Sequence, residues 1–565
     1  MRYLVHLCCL WSSFLLISCS ELPEYDIIIR GGRVYDGSGR PPRVADVAVI
    51  GDSIAAVGEH LSGRVTLEID ATGLAVAPGF INMLSWANES LLQDGRSQSD
   101  IRQGVTLEVL GEGESMGPLN ERMKQERMDR QGDIKYAVEW TTLGEYLEHL
   151  ERRGISTNVA SFVGATTVRI HVLGYEDRAP TSDELARMQE LVKGAMEEGA
   201  MGVSSSLIYT PAFFAETSEL TALCRAAARY GGMYISHLRS EGNTLLEALD
   251  ELLAIARDAD IPAEIYHLKA AGADNWWKLD TLITRVGLAR EEGLRITADM
   301  YTYTAGATGL DAMMPPWVQE GGLDSWTARL RKPSVRRRLL EEISRSSDEW
   351  ENFYLATRSP NNIIPVGFKT DSLKKYTGKT LAQIGRLRGT SPIETAMDLV
   401  VQDNSRVETI FFLMSENNVE KKVVLPWMSF GSDAESLTPE GVFLESNVHP
   451  RAYGNFARLI SRYTMEAGLV DLEEIIRRLT SFPAENLSLE RRGALLPGHF
   501  ADIVVFDPYA VKDYATFQKP HRYSVGVKHV FVNGVQVLRE GEHTGATPGR
   551  VVRGPGWKGG APRSR

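Results

Sequence analysis

Cysteine is scarce. The chain of 565 residues has four, Cys8, Cys9, Cys19 and Cys224, and three of them fall near its start. A disulfide scaffold is excluded, so the fold must rest on a hydrophobic core. Cys224 lies in Leu220–Ala227, a helical pattern, and reads as packing rather than as a reactive thiol. Positive charge is also short: 62 Lys and Arg face 74 Asp and Glu, for a net charge of −12. Nucleic-acid binding calls for a basic face, so that partner is excluded. No internal repeat at a solenoid period is evident. What remains is an ordinary globular balance, 43% hydrophobic and 24% charged, with length enough for a large core and accessory domains.

The first residues read as a signal peptide. Arg2 supplies a positive start, and Tyr3 to Ile17 is largely apolar but too short for a stable membrane span. The stretch ends Leu16-Ile17-Ser18-Cys19, which resembles the lipobox of bacterial lipoproteins. The resemblance implies that residues 1–18 are removed and that the Cys19 thiol carries a diacylglycerol, a membrane anchor. Ser20 follows rather than Asp, which by the Gram-negative sorting pattern implies the periplasmic face of the outer membrane. Cys8 and Cys9 then leave with the signal, and Cys224 has no partner.

Two matched stretches carry the strongest chemical signal. One reads Gly231-Gly232-Met233-Tyr234-Ile235-Ser236-His237-Leu238-Arg239-Ser240-Glu241, the other Ile261-Pro262-Ala263-Glu264-Ile265-Tyr266-His267-Leu268-Lys269-Ala270. Each is a short apolar run that ends in His, Leu and a cation. Thr244 to Asp258 between them has apolar residues at helical spacing. Strand, helix, strand is a parallel unit, and it sets His237 and His267 at the carboxyl ends of neighbouring strands, where barrel enzymes keep their chemistry. Two neutral imidazoles on one rim are part of a zinc site. The reading set against this is two hydrogen-bonded core histidines.

Short strands broken by Gly and Asp turns open and close the mature chain: Tyr25–Arg30, Ala45–Asp52 and Ser53–Gly58 at one end, Ala501–Pro508 and Val527–Gly534 at the other. These β pieces bracket a long α/β middle and have the texture of one shared sheet. The last residues are rich in Gly, Pro and Arg and read as a loose tail.

Several motifs in this order resemble the amidohydrolase superfamily, specifically its N-acyl-D-amino-acid deacylase branch. They are Ala77-Pro78-Gly79-Phe80-Ile81, Gly202–Tyr209, the two histidine stretches, Tyr301-Thr302-Tyr303-Thr304-Ala305, Gly431-Ser432-Asp433, His449–Gly454 and Ala501–Phe506. The resemblance implies an α/β fold: a distorted TIM (β/α)8 barrel with a small β-sandwich formed from both terminal segments. The organisation expected is residues 19–78 and 486–555 as the two parts of the sandwich, 79–485 as the barrel and 556–565 as the tail.

The chain also departs from the branch. The superfamily ends its first barrel strand with His-x-His; here those positions hold Leu84 and Trp86. Leu has no donor atom and an indole N–H only donates, so neither binds zinc. A bridging cysteine of the branch is missing from Val109-Leu110-Gly111-Glu112-Gly113-Glu114-Ser115-Met116-Gly117. Alignment backwards from Pro118 puts Glu112 in its place, with Glu114 as the alternative, and a carboxylate is a competent ligand. The expected centre is one zinc ion per chain on Glu112, His237 and His267.

Asp433 follows Met428–Ser432, a run that reads as a strand end, and the resemblance makes it the general acid/base. The resemblance also assigns Arg451 to the free carboxylate of a small-molecule N-acyl amino acid, with Lys269 and Tyr301 as further substrate contacts. A serine the branch uses nearby is Ala307 here, and His449, before the stiff Pro450, reads as structural. The activity implied is deacylation of N-acyl-D-amino acids. The alternatives are a barrel that binds without chemistry and a hydrolase of D-residue dipeptides or cyclic amides.

Overall fold

The computed structural model describes residues 23–559, so Cys19 and the apolar stretch before it lie outside the described residues. The two terminal β pieces pair directly: Ala75–Pro78 runs antiparallel to Ile503–Phe506, with Ala77 opposite Val504. A single 9-stranded sheet results, with strands from both ends of the chain. Alternating residues build it. Ile27 and Ile29, Val47 and Val49, and Ile503 and Val505 join Phe531 in one buried cluster, the period of two that gives a strand one apolar face. Arg43–Ile50 and Val527–Val532 stand far apart in strand order yet share that cluster, so the sheet folds over on itself as a sandwich. The turn after Ile50 closes it: Ala501 N–H donates to Asp52 O at 2.8 Å and Gly534 N–H to Ala501 O at 2.9 Å.

The middle is a parallel barrel. One run of strands is Phe80–Asn82, Val105–Leu110 and Asn158–Ser161. The other is Val163–Gly164, Gly202–Ser206, Met233–His237, Ala263–Ile265, Ile296–Met300 and Met428–Phe430. Asn158–Ser161 and Val163–Gly164 are one strand interrupted at Phe162. Counted so, the total is eight. The first and last strands meet through Met83 N–H to Phe430 O (3.1 Å) and Asp433 N–H to Leu84 O (2.9 Å). Helices such as Thr217–Ala228, which buries Cys224, and Leu245–Ala259 pack apolar stripes against the strands.

One large excursion leaves the barrel between its last two strands. Residues 301–427 carry an antiparallel sheet of Ala305–Gly309, Glu408–Phe412 and Ile363–Gly367 and a set of helices. They have a core of their own, with Leu310, Met313, Met397 and Phe411. The sequence carries no local signal for it. The tail, expected to be loose from residue 556, is held as far as Lys558, whose ammonium pairs with Glu197 at 2.6 Å. Gly554 N–H donates to Gly199 O and Trp557 N–H to Gly554 O.

Candidate metal centre and active site

The strand ends place the side chains. Met233–His237 ends on His237 itself, but the matched strand ends at Ile265, so His267 lies two residues into the turn, at φ 32°. That left-handed conformation is uncommon for a side-chain-bearing residue. It is held by His267 N–H donating to Asp299 Oδ1 at 2.8 Å. Asp433, just past Met428–Phe430, is also left-handed, at φ 48°. Such strain collects at functional sites.

Glu112, His237 and His267 are all buried, with their ligand-capable atoms within 4.8 Å of one another. The rings of His237 and His267 are edge to face, with centroids 4.6 Å apart. His267 Nε2 lies 2.9 Å from Glu112 Oε1. His237 Nδ1 lies 3.0 Å from Leu238 O, so it carries the proton and leaves Nε2 as the donor atom. Glu114, the alternative to Glu112, is exposed and lines the cavity outside this group.

A residue that the sequence analysis does not single out stands behind the cluster. Glu241 Oε1 accepts from Lys269 Nζ at 2.6 Å and lies 3.2 Å from His267 Nδ1; Oε2 is 3.8 Å from His237 Nε2. Its signal is present, since it closes the first matched stretch four residues after His237. Lys269 Nζ is also 2.7 Å from His267 Nδ1. A carboxylate behind a ligating imidazole is the arrangement that orients metal-bound histidines.

The electrostatics favour a cation. Burial drops His237 to about 4, so it is neutral at neutral pH and free to ligate. Burial and Lys269 press His267 down, but Glu112 and Glu241 outweigh them and carry it up to about 10. The pocket therefore stabilises positive charge between those carboxylates. Burial alone would raise Glu112, and His267 holds it below the usual carboxylate range. Two imidazoles and a carboxylate are a zinc set that leaves a fourth position open. The residues fit the metal.

Asp433 stands beside this set. Its Oδ2 is 2.7 Å from Arg451 Nη1, and burial pushes its carboxyl up against the pull of that guanidinium. Arg451 is 3% exposed and its guanidinium lies 4.4 Å from the Tyr301 ring centroid. Arg451 Nε and the Tyr301 hydroxyl are buried without a hydrogen-bond partner. Such groups are destabilising unless something meets them. Lys269 Nζ lies 5.6 Å from the same ring. His449 is committed elsewhere: Nε2 is 2.9 Å from Ala305 O, and Nδ1 accepts Arg451 N–H at 3.0 Å. All of these groups line one cavity of about 740 Å³, which Ala307, Arg406 and Glu408 wall from the excursion.

Comparison with known proteins agrees with this geometry. Residues 67–538 match the model of the Amidohydrolase family. A D-aminoacylase of Alcaligenes xylosoxydans xylosoxydans is 31% identical over 542 residues, 95% of this chain and 99% of that protein. The crystal structure of an N-acyl-D-glutamate deacylase from Bordetella bronchiseptica, complexed with zinc and a phosphonate mimic of the tetrahedral intermediate, superposes with a TM-score of 0.78. It is 29% identical and covers 94% of this chain and 100% of its own. A D-aminoacylase structure described for its binuclear metal centre, with one-metal activation and second-metal attenuation, also gives 0.78, at 30% identity over 94% of this chain and 100% of its own. With a match over most of its length, an eight-stranded parallel barrel and an acid–imidazole cluster on the rim, the chain belongs to the amidohydrolase family.

Proposed function

We propose that the chain is a zinc-dependent hydrolase that deacylates N-acyl-D-amino acids, with one ion held by Glu112, His237 and His267. The observation that carries the substrate reading is the pair of buried donors without partners, Arg451 Nε and the Tyr301 hydroxyl, beside the cluster. They suit a carboxylate oxygen, and a guanidinium suits it best. Lys269, 6% exposed, adds positive charge on the same wall.

Bound zinc supplies Lewis acidity and lowers the pKa of water. The chain's residues do the rest. Asp433 accepts the proton of the attacking water and returns it to the leaving amine. Arg451, Tyr301 and Lys269 hold the substrate carboxylate, which fixes the amide relative to Asp433. Glu241 orients His267 and fixes the position of the Lys269 ammonium. The D preference rests on the relatives, whose names specify D-amino acids.

Elemental analysis of purified protein, with activity on paired N-acyl-D- and N-acyl-L-amino acids before and after chelation, tests the reading. One zinc per chain and D-selective, chelator-sensitive cleavage is expected. Zinc undiminished in the double variant H237A/H267A refutes the site.

The lipid anchor on Cys19, at the periplasmic face of the outer membrane, belongs to the same proposal and rests on Leu16-Ile17-Ser18-Cys19. Among the described residues no helix is long and apolar enough to cross a membrane. Labelled fatty acid entering the wild type and not C19A is the expected result.

A further inference from the structure

Trp86 touches both halves of the chemistry. Its indole N–H lies 2.9 Å from Glu112 Oε2 and 3.2 Å from Asp433 Oδ1, one donor shared by two buried carboxylates. Its backbone is tied to the segment that carries Asp433: Trp86 N–H donates to Ala434 O at 3.0 Å, and Ser85 pairs with Ala434. The ring lines the cavity, so the contact sits at the working face of the site.

This contact constrains both carboxylates. An indole nitrogen donates and has no lone pair for a metal. The indole occupies one lone pair of Glu112 Oε2 and turns Oε1 toward His267. Asp433 is held from two sides, Oδ1 by Trp86 and Oδ2 by Arg451, so its direction is fixed. Like charges buried together repel strongly, and Glu112 is among the groups that raise Asp433. A neutral N–H shared between them offsets part of that repulsion. No second ion is called on to do so. Among the described residues, Glu112, His237 and His267 form the one cluster of His, Cys, Asp and Glu side chains able to hold a metal.

We propose that Trp86 is a positioning residue of the metal centre, holding Glu112 to ligation through Oε1 alone and aiming Asp433, in place of a second cation. The proposal rests on the metal-dependent reading above and goes beyond it, to how Glu112 and Asp433 are held beside a single ion.

Full-length W86F removes the N–H and keeps aromatic bulk; W86Q restores a donor on a smaller side chain. Zinc affinity is read by competition with a chromophoric chelator, and ligand geometry by the visible absorption of the cobalt-substituted protein. In W86F zinc affinity falls by about 10–100-fold, as for other partners of ligating groups. The cobalt bands weaken toward a five-coordinate ion as Oε2 joins, and kcat drops while KM holds. W86Q stays nearer the wild type in each readout. A W86F protein with wild-type zinc affinity and cobalt spectrum overturns the proposal. So does W86Q impaired as deeply as W86F, since ring packing rather than the donor would then be at work. If W86F does not fold, W86Q against wild type decides on the same two metal readouts. Neither metal readout needs substrate, so a wild type that binds zinc and cleaves no N-acyl-D-amino acid ends the deacylase reading and leaves this test intact.

Discussion

The two walls of the cavity are built on different principles. The barrel wall carries Glu112, His237, His267 and Asp433 at or just past short strand ends, where main-chain ladders fix each position to its neighbour. The wall from residues 301–427 is a separate packing unit, with its own sheet and core, and offers Ala307, Arg406 and Glu408. Chemistry sits on positions fixed by the barrel ladders, and substrate fit on a wall with a sheet and core of its own. The metal and the substrate should therefore respond separately to substitutions in the two walls.

The largest effect expected is on the barrel side. Asp433→Asn keeps the side-chain shape and removes the base, so zinc per chain stays unchanged while kcat falls by about 10²–10⁴-fold. Metal analysis with steady-state kinetics reads both, and near-normal turnover removes Asp433 from the mechanism. On the other wall, Phe411 is fully buried and meets Phe353 edge to face at 5.4 Å. Phe411→Ala should cost about 3–5 kcal/mol of stability in the excursion. A thermal melt should show an early transition while zinc remains bound. Loss of zinc in that same early transition would mean that the two walls are one cooperative unit.

This division also explains what is legible in the sequence. His237 and His267 are legible because each closes a short apolar run of strand length and the runs repeat. Asp433 is legible because an apolar-to-small run precedes it. Glu112 comes from alignment alone, since a glutamate in a glycine turn has no local signature. Glu241 is visible as the end of a matched stretch, but its pairing with Lys269 and His267 is hidden, as is Trp86 as a donor shared by Glu112 and Asp433, because each contact joins separate strands beyond any local window. The excursion is hidden for the same reason: its strands Ala305–Gly309 and Glu408–Phe412 pair across about a hundred residues, which no window of local periodicity spans.

Arg451 is where the walls meet, stacked on Tyr301 and facing Asp433. Arg451→Lys keeps the charge and loses the planar fork. One charged hydrogen bond is worth about 1.5–3 kcal/mol, so KM should rise by about 10–100-fold with zinc content unchanged. Initial rates over a substrate range check it; an unchanged KM would place the carboxylate contact on another residue.

The smallest effect probes the joint itself. Glu351, from the excursion, accepts from Ser240 Oγ at 2.8 Å, from Gly242 N–H at 2.6 Å and from Glu241 N–H, and so pins the loop that carries Glu241. Its other oxygen is buried without a partner. Burial, helped by the charge of Glu241, pushes its carboxyl up to about 7, against an ordinary value near 4.5. A folded-state pKa above the unfolded one gives stability that is present in full below about 4.5 and is lost as pH rises through 7. A tenfold difference in proton affinity between the folded and unfolded chain corresponds to about 1.4 kcal/mol. Glu351 is only partly buried, so solvent screening reduces the loss to about 1–2 kcal/mol between pH 5 and pH 8. Glu351→Gln accepts the same bonds through its amide oxygen and cannot ionise. It should flatten that decline and be more stable than the wild type at pH 8. Denaturation midpoints at pH 5 and pH 8 measure it, and equal slopes for the two proteins would show that ionisation of Glu351 does not weaken the joint between the two walls.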